Sequence, residues 1–570
     1  MSSRAFWRVS ALILIAAAAL AGGVWGGRAS GGAQGAGASA SATYREALAV
    51  VRENYAGEVD YEKANEAAVQ GMLWALDPHS NFFTPGEYQR LLQDQESRFT
   101  GIGVQILRRR DGVYVQTPLP GTPAAKAGLR FGDRIVEVDG RDAREWTTQE
   151  VSKAVRGPEG QRVTIKVERA GSEAPLFFTI VRGSVPQPSI RNAFMARPGV
   201  GYVGLTGGFT HTTGEELTAA LESLGRQGMR QLVLDVRNNP GGLLNESIEV
   251  TSRFVARNLP IVSVRGRQRG SAREYKNNLY DPVDYPLVVL INRNSASASE
   301  IVAGAVQDHA RGLVVGETSF GKGLVQKVFQ LPHGAGLTLT TAKYYTPYGR
   351  LIQRDYSNGS IYDYYVRLDP VAGPTPQTPL QPTRATEPLD ALPQPTPQPT
   401  PMPTPTGPAV STAGGRVFYG GGGITPDHEV KPRDVNSPAR ARIFEETFHF
   451  VRALAGGQVR GFEAYRLNSG PRFEDYPRAD ELPVTDALVA AFRDFARRDP
   501  QSGLTVAQID AEAEYVRLRL REEIVTAAYG GDAAGRFLLE SDPQLLRALE
   551  LLPEARALFE TTGRNVVAGG

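Results

Sequence analysis

A buried strand, a serine-rich turn and an apolar helix follow one another between residues 286 and 308, and they constrain the fold more than any other stretch. A second apolar strand, residues 313–315, follows the helix. Buried strands that alternate with helices predict an α/β core. A serine at such a strand-to-helix turn has an exposed hydroxyl beside the free N–H groups of the first helical turn. These N–H groups suit the negative oxygen of an acyl-transfer intermediate.

The same stretch continues to a lysine that could act as the base for such a serine. Lys322 stands between Gly321 and Gly323, which allow a sharp turn and a close approach of the backbone. Its further neighbours Phe320 and Leu324 are apolar, and burial among apolar groups lowers the pKa of a lysine. The neutral amine could then accept a serine proton near neutral pH.

Two other motifs share this lysine, and both fit less well. Residues 316–323 nearly match a phosphate-binding loop, but no serine or threonine follows Lys322, and a strand pattern rather than a helix pattern comes next. Ser319 and Lys322 have the Ser-x-x-Lys spacing, but they lie on a glycine turn and the Lys-Thr-Gly partner of that motif is missing. Neither chemistry is favoured.

A Ser/His/Asp triad would most naturally use His309, which follows Asp308. If residues 298–309 form one helix, its rise of roughly 1.5 Å per residue separates His309 from Ser297 by on the order of 17 Å. A catalytic base must lie within hydrogen-bond reach, so His309 is predicted to be a helix C-terminal residue. We expect no metal and no cofactor, because four further histidines are scattered without metal-like spacing: His211, His333, His428 and His449.

Two motifs carry a resemblance to a known family. Residues 294–308 (Asn-Ser-Ala-Ser-Ala-Ser-Glu-Ile-Val-Ala-Gly-Ala-Val-Gln-Asp) and 319–326 (Ser-Phe-Gly-Lys-Gly-Leu-Val-Gln) resemble the carboxyl-terminal processing, or tail-specific, peptidases. Members of that family are serine proteases with a Ser-Lys dyad and a PDZ domain. The resemblance runs from about residue 44 to about residue 432, with one insertion.

The resemblance assigns roles that the residues alone leave open. Ser295 suits a turn or cap and Ser299 falls inside the helix, but spacing does not settle which serine reacts. The family pattern implies that Ser297 is the nucleophile, Lys322 the general base and Gln326 the amide that positions the lysine.

A second glycine-rich turn, residues 235–242, ends another predicted strand and supplies further backbone N–H groups. The resemblance implies that an N–H of Gly241 or Gly242 pairs with that of Ala298 to bind the oxyanion. Asp235 and Arg237 are predicted to form a structural pair around this turn.

Residues 99–183 alternate short strands and helices in an order that resembles a circularly permuted PDZ domain. The resemblance implies that a loop binds the carboxylate of a peptide C-terminus through its N–H groups, while the peptide adds a strand along residues 104–107. Arg156, at the end of the groove helix, is either a substrate sensor or a solvated cap. The predicted loop residues are Gly101, Ile102, Gly103 and Val104.

Composition narrows the class of protein. The formal net charge of +2 over 570 residues gives no reason to expect nucleic-acid binding, and the absence of cysteine excludes a thiol nucleophile and disulfides. Residues 1–30 contain a basic start and an apolar run, which predicts a secretory signal or an uncleaved membrane anchor. We therefore expect an exported protein of the cell envelope and leave cleavage open.

The fold class predicted from these patterns is multidomain α/β. Residues 31–43 form a flexible tether and 44–98 a helical segment, in which His79 is a turn residue rather than a catalytic one. After the PDZ-like module come a catalytic α/β core at 184–368, a proline-rich disordered insertion at 369–415, and a return to the core at 416–436. Residues 437–570 form a helical C-terminal domain, either for self-association and control of access or as a passive cap.

The sequence therefore predicts an exported serine endopeptidase that recognises the C-terminal tails of proteins and cleaves by an acyl-enzyme mechanism. The alternative from another class is a non-catalytic envelope scaffold that binds protein C-termini. An amidase acting on a small substrate is a weaker third reading, because it leaves the PDZ-like module without a use.

Overall fold

The computed structural model describes residues 37–268, 270–356, 364, 407–434, 437–478 and 480–568. The predicted signal or anchor, the first part of the predicted tether and most of the predicted insertion lie outside these residues. The chain divides into two compact units, Met1–Leu76 and Asp77–Gly570. Among the helices of the described ranges, none is long and apolar enough to cross a membrane.

From residue 37 onward, the first unit consists of helix α1 at residues 37–54 and helix α2 at Tyr61–Trp74. Asp60 caps α2 by accepting a hydrogen bond from the N–H of Lys63 at 3.1 Å. Helix α1 begins inside the range predicted as a tether, so residues 37–43 correct that prediction. Alanine and serine alternate there, and alanine has the highest helix propensity of all residues.

The second unit begins with a strand, a helix and a strand that lead into the PDZ-like module: β1 Asn81–Phe83, α3 Pro85–Gln95 and β2 Arg98–Gly101. The module itself is a 6-stranded sheet in the order β3-β4-β5-β7-β8, with β6 paired to β5. Its elements are β3 Val104–Arg109, β4 Gly112–Pro118, α4 Pro123–Ala127, β5 Arg134–Val138, β6 Arg141–Asp142, α5 Thr148–Val155, β7 Arg162–Glu168 and β8 Leu176–Val181. Strand β3 lies at one edge of this sheet.

Strand β9 (Gly183–Pro186) pairs antiparallel with β2, so the module is inserted through two adjacent strands. The catalytic core follows, with a 6-stranded sheet in the order β10-β11-β12-β15-β16-β21, antiparallel at β10 and parallel elsewhere. Its elements are β10 Ile190–Arg197, β11 Val200–Leu205, α6 Thr213–Arg226, β12 Gln231–Asp235, α7 Leu244–Ser252, β15 Leu287–Ile291, α8 Ala298–Asp308, β16 Leu313–Gly316 and β21 His428–Glu429. All five side chains of β15 are buried, as expected of a parallel strand covered on both faces.

A second sheet, with 5 strands, packs beside this core in the order β1-β18-β13-β14, and β17 pairs with β18. Its later strands are β13 Pro260–Gly266, β14 Arg273–Lys276, β17 Leu324–Gln330 and β18 Gly336–Tyr345. Strand β19 (Ala409–Ser411) pairs with β20 (Val417–Tyr419). Because β19 lies within residues 369–415, predicted as a disordered insertion, residues 409–411 correct that prediction. The valine between alanine and serine in β19 favours a strand once the proline run has ended.

The C-terminal region is helical, as predicted, but its helices pack on two different neighbours. They are α9 Pro438–Ala455, α10 Asp486–Arg498, α11 Val506–Ala511, α12 Ala513–Tyr529, α13 Gly531–Leu539 and α14 Pro543–Ala568. Helix α9 shares a buried cluster with Tyr114 and Phe131 of the PDZ-like module. Helix α14 instead places Leu545 and Leu549 against the catalytic sheet. The predicted multidomain α/β fold class is confirmed, and the last helix completes the catalytic core.

Candidate active site

Ser297 lies where β15 turns into α8, as the N-cap residue of that helix, and it is half-buried. Its backbone has φ 56° and ψ −111°, a conformation that residues other than glycine rarely adopt. Such strain is typical of a nucleophile held on a sharp strand-to-helix turn. The turn at Gly241 packs directly against it, since a Cβ placed on Gly241 would lie 2.7 Å from the Cβ of Ser297.

The two neighbouring serines have structural partners. The hydroxyl of Ser295 donates to the carbonyl of Val236 at 2.8 Å, and that of Ser299 donates to the carbonyl of Asn239 at 3.0 Å. Both side chains are fully buried, whereas Ser297 is partly exposed. The geometry thus leaves the middle serine as the one available to a substrate.

Glu300 ties the serine turn to the lysine loop. Its buried carboxylate accepts hydrogen bonds from the N–H of Ser297 at 2.8 Å and the N–H of Lys322 at 2.9 Å. It also accepts from the N–H of Gly321 at 2.7 Å and the hydroxyl of Ser319 at 2.5 Å. Burial raises the pKa of Glu300, while these hydrogen bonds act to lower it. Sequence reasoning missed this residue, although Ser-x-x-Glu before an apolar run is a capping-box signature.

Lys322 is half-buried, and its Nζ donates to Oε1 of Gln326 at 2.9 Å. Burial lowers the pKa of Lys322, and the negative charges of Glu300 and Asp77 act in the opposite direction. Gln326 lies on β17, and its Nε2 donates to the carbonyl of His79. The structure therefore brings two of the three predicted catalytic residues into direct contact.

Tyr344 joins the same two segments from the other side. Its buried hydroxyl lies 2.9 Å from the carbonyl of Ser297 and also contacts the carbonyl of Lys322. Burial raises its pKa well above the ordinary value, with the charge of Glu300 adding to the effect, so the hydroxyl keeps its proton. Together, Glu300 and Tyr344 join the backbone of the Ser297 turn to the backbone of the Lys322 loop. Tyr344 was not singled out by the sequence.

The predicted oxyanion donors lie side by side. A Cβ on Gly241 would be 3.0 Å from the nitrogen of Ala298, so the glycine turn and the start of α8 are in close contact. The N–H of Gly241 donates to Oδ1 of Asn239 at 2.9 Å. Within the ranges that the structure describes, the N–H groups of Gly242 and Ala298 have no acceptor. Of the two glycines that the sequence left open, Gly242 has the available donor.

The predicted carboxylate-binding loop, residues 101–104, joins β2 to β3. Gly103 has φ 76°, and a Cβ there would lie 2.3 Å from Cβ of Thr122. The carbonyls of Ile102 and Gly103 accept hydrogen bonds from Ala124 at 2.7 Å and Leu119 at 2.9 Å. The N–H groups of Ile102 and Gly103 have no acceptor among the described residues. The loop thus presents donors rather than acceptors, as an anion requires.

Arg156 lies beside this loop as the C-cap residue of α5. Its guanidinium is exposed and stacks 4.5 Å above the ring of Phe99. A Cβ on Gly101 would be 3.6 Å from Cγ of Arg156. Arg156 thus caps the helix and also stands next to the predicted carboxylate-binding loop.

Two histidines lie where the sequence predicted them, His309 at the end of α8 and His79 in a turn. His309 is the C-cap residue of α8, and its Nε2 lies 2.7 Å from the carbonyl of Pro260. His79 lies in the predicted turn, but its imidazole is buried and lies 2.8 Å from the hydroxyl of Tyr364. Burial, followed by the charge of Lys322, lowers the pKa of His79 to about 3, so the ring is neutral at physiological pH. No cluster of potential metal ligands occurs in the described part of the chain.

Asp235 and Arg237 form the predicted structural pair, with nitrogen and oxygen atoms 2.6 Å apart. The same guanidinium reaches Asp542 at 2.9 Å and Gln544 at 2.7 Å, at the start of α14. The C-terminal helix is therefore attached to the turn that carries the predicted oxyanion donors.

Comparison with known proteins identifies the family of two of the domains. Residues 199–366 match peptidase family S41, and residues 114–169 match a PDZ domain. A carboxy-terminal-processing protease of Bartonella bacilliformis is 39% identical over 308 residues, which cover 53% of this chain and 70% of that protein. A carboxyl-terminal-processing protease of Synechocystis is 37% identical over 286 residues, covering 49% of this chain and 66% of that protein.

The chain thus spans about two thirds of the length of these relatives. The solved structure of a photosystem II D1 C-terminal processing protease is 33% identical, covers 52% of this chain and 81% of its own, and has a TM-score of 0.31, too low to support a structural argument. On the sequence relationship and the two matched domains, the chain belongs to the carboxyl-terminal processing proteases of peptidase family S41.

Proposed function

We propose that this protein is an exported serine endopeptidase that binds the C-terminal tails of its substrates and cleaves them with a Ser297–Lys322 dyad. The observation that carries the proposal is the state of Lys322. Its amine is half-buried, its pKa is lowered by burial, and it is held by Gln326. Glu300 and Tyr344 connect its loop to the Ser297 turn. A neutral amine at that position suits removal of a proton from the serine hydroxyl.

In the proposed reaction, Oγ of Ser297 attacks the scissile carbonyl while its proton passes to Nζ of Lys322. The N–H groups of Ala298 and Gly242 stabilise the resulting oxyanion. When the intermediate collapses, the C–N bond breaks and Lys322 returns the proton to the leaving amine. Water then attacks the acyl-serine ester, Lys322 takes a proton from it, and the new carboxyl product leaves with the hydroxyl of Ser297 restored.

The tail-binding part of the proposal rests on the loop at residues 101–104. A substrate carboxylate would accept from the N–H groups of Ile102 and Gly103, and the peptide would pair with the free edge of β3. Arg156 stands close enough to the loop to sense the charge. Export is supported by the basic and apolar character of residues 1–30, where a signal and an anchor are equally compatible.

The test compares peptides that differ only in a free or amidated C-terminus, with products identified by mass spectrometry. We expect cleavage upstream of the free tail, slower cleavage of the amidated peptide, and none by Ser297→Ala or Lys322→Ala variants that still fold. Full activity in either variant would remove the dyad from the proposal. Tight binding of the free tail without cleavage after long incubation would favour the scaffold alternative.

A further inference from the structure

Gln326 can orient Lys322 in only one of its two amide orientations. With Oε1 toward Lys322 it accepts a hydrogen bond from Nζ, as observed at 2.9 Å. With the amide reversed, its NH₂ group would face the amine, and two donors would oppose each other whenever the lysine is charged. The other end of the amide decides between the two, because Nε2 donates to the carbonyl of His79, which can only accept.

The carbonyl of His79 is in turn held by a tight turn built on Asp77. One carboxylate oxygen of Asp77 accepts from the N–H of His79 at 2.8 Å and from the N–H of Ser80 at 2.9 Å. The other accepts from the hydroxyl of Ser80 at 2.7 Å. Asp77 and Ser80 are buried, and the Ser80 hydroxyl also accepts from the N–H of Thr340 on β18 at 3.1 Å. The turn is therefore fixed to the sheet that contains Gln326.

We propose that Asp77 is a positioning residue for catalysis, which acts by holding the His79 carbonyl and through it the Gln326 amide that faces Lys322. The chain of contacts joins residues far apart in sequence, since Gln326 and His79 are 247 positions apart. The inference rests on the proposed function of Lys322 as the general base. It gives the turn at residues 77–80 a role in the reaction, although this turn is far from the nucleophile along the chain.

Asp77 also acts on Lys322 through its charge. Burial lowers the pKa of Lys322, while Glu300 and Asp77 raise it. His79 also faces the amine but is neutral, and the charge of Arg354 acts on His79. Because the lysine is a base only when deprotonated, kcat/KM rises with pH through its pKa. Loss of the Asp77 charge alone lowers that pKa and moves the rise toward lower pH.

Two substitutions distinguish the effect of the Asp77 charge on the pKa of Lys322 from the effect of the Asp77 hydrogen bonds on the His79 turn. Asp77→Asn keeps an oxygen for the two N–H groups and can donate to the Ser80 hydroxyl, but it has no charge. We expect its plateau value of kcat/KM to stay within about threefold of wild type and its acid limb to move to lower pH. Asp77→Ala removes all three hydrogen bonds, so the backbone of His79 and Ser80 can shift and misplace the amide, although the His79 carbonyl still accepts from Nδ2 of Asn81 at 2.9 Å. We expect its plateau to fall by roughly 10- to 100-fold.

The experiment measures kcat/KM against pH for the full chain with a free-tail peptide, and thermal unfolding in parallel. Ser80→Ala serves as a milder second variant if Asp77→Ala does not fold, with an expected intermediate loss of plateau. The matched control is Asp427→Asn. Asp427 is a carboxylate with a 9% exposed side chain that pairs with Arg416 and holds a backbone N–H of the core, that of Val314 at 2.7 Å. It does not act on Lys322, so its substitution should lower Tm and leave the acid limb in place.

An unchanged plateau in folded Asp77→Ala, or an unmoved acid limb in Asp77→Asn, would overturn the inference. Losses that merely follow Tm, as in the control, would overturn it too. Ser297→Ala and Lys322→Ala are assayed alongside. If they remain active, the proposed function itself fails; if they are inactive while Asp77→Ala behaves as wild type, only the positioning role fails.

Discussion

The loop that carries Lys322 and the loop that opens the PDZ-like module are both glycine turns with positive φ, yet their N–H groups are used in opposite ways. Gly321 has φ 85° and Gly103 has φ 76°. At the lysine loop, the N–H groups of residues 321 and 322 donate to Glu300, and that of residue 323 donates to Gln353 at 2.8 Å. At the tail-binding loop, the carbonyls are occupied and the N–H groups of residues 102 and 103 have no acceptor in the described chain.

The difference separates two physical requirements. A base must be held at a fixed distance from its nucleophile, so the backbone around it is fully hydrogen-bonded and buried. A binding loop must keep donors unpaired until a ligand supplies the acceptor, and glycine permits the turn that aligns them. Glycine thus allows a rigid, hydrogen-bonded backbone in the lysine loop and unpaired N–H donors for an anion in the tail-binding loop. Substitutions in each loop should therefore change different steps.

The largest effect is expected at the lysine itself. Lys322→Ala should lower kcat/KM by about 10⁴-fold or more, because it removes the proposed proton acceptor for the Ser297 hydroxyl. Its affinity for a non-cleaved free-tail peptide, measured by isothermal titration calorimetry, should equal that of wild type. Lost binding in a folded Lys322→Ala variant would mean that the two loops do not act separately.

Glu300→Gln should have the next largest effect. The carboxylate accepts from four donors, and an amide in its place would turn its NH₂ group toward two of them. We expect kcat/KM to fall by roughly 10- to 100-fold and the free energy of unfolding to fall by about 2 kcal/mol. Because the Glu300 charge raises the pKa of Lys322, the remaining activity should extend to lower pH.

The matched control for this variant is Glu446→Gln, because Glu446 has a fully buried side chain on α9 that pairs with Arg110 of the PDZ-like module. It should lower stability in urea without moving the acid limb. An acid limb that moves equally in both variants would show that the shift reports general loosening rather than the charge next to Lys322.

At the tail-binding loop, Gly103→Ala should weaken binding rather than chemistry. The added methyl group would meet Thr122 at 2.3 Å in a backbone conformation that disfavours side chains. We expect the Kd for a free-tail peptide to rise about tenfold, with little change in kcat at saturation. Gly121→Ala is the control, since φ is 71° there but the methyl group would enter open space. If both variants bind equally weakly, strain rather than the loop's shape is responsible.

How much of this site could be predicted depends on distance along the chain. The family resemblance implied the contact between Lys322 and Gln326, and their separation of four residues, two strand repeats, keeps both side chains on one face of a strand. The capping-box motif could have identified Glu300, but the sequence analysis did not single it out. The turn at residues 77–80 was predicted, but its contact with Gln326 was not, because nothing local indicates that a carbonyl at residue 79 meets a side chain 247 positions later.

The helical C-terminus shows that long-range contacts of the fold could not be predicted either. Periodicity predicted the helices of residues 437–568. The apolar face of a helix does not, however, indicate which other element it packs against. Helix α14 covers Val233 and Val288 of the catalytic sheet, whereas α9 packs on the PDZ-like module. The predicted tether failed for a related reason. An alanine-rich run next to a helix can extend that helix, and composition alone does not distinguish the two.

The smallest effect is expected for Arg156→Ala, and it sharpens the comparison between the loops. Its exposed guanidinium stands beside the tail-binding loop but makes no ion pair among the described residues, so it can only add a screened attraction for a carboxylate. We expect the Kd for a free tail to rise two- to fivefold at low salt, with the difference shrinking as salt increases and vanishing for an amidated tail. Arg141→Ala, on β6 and stacked 4.8 Å above Trp146, provides the control and should leave the Kd unchanged. A salt-independent loss at Arg156, equal for free and amidated tails, would instead assign it the role of a helix cap and leave recognition to the N–H groups of the loop.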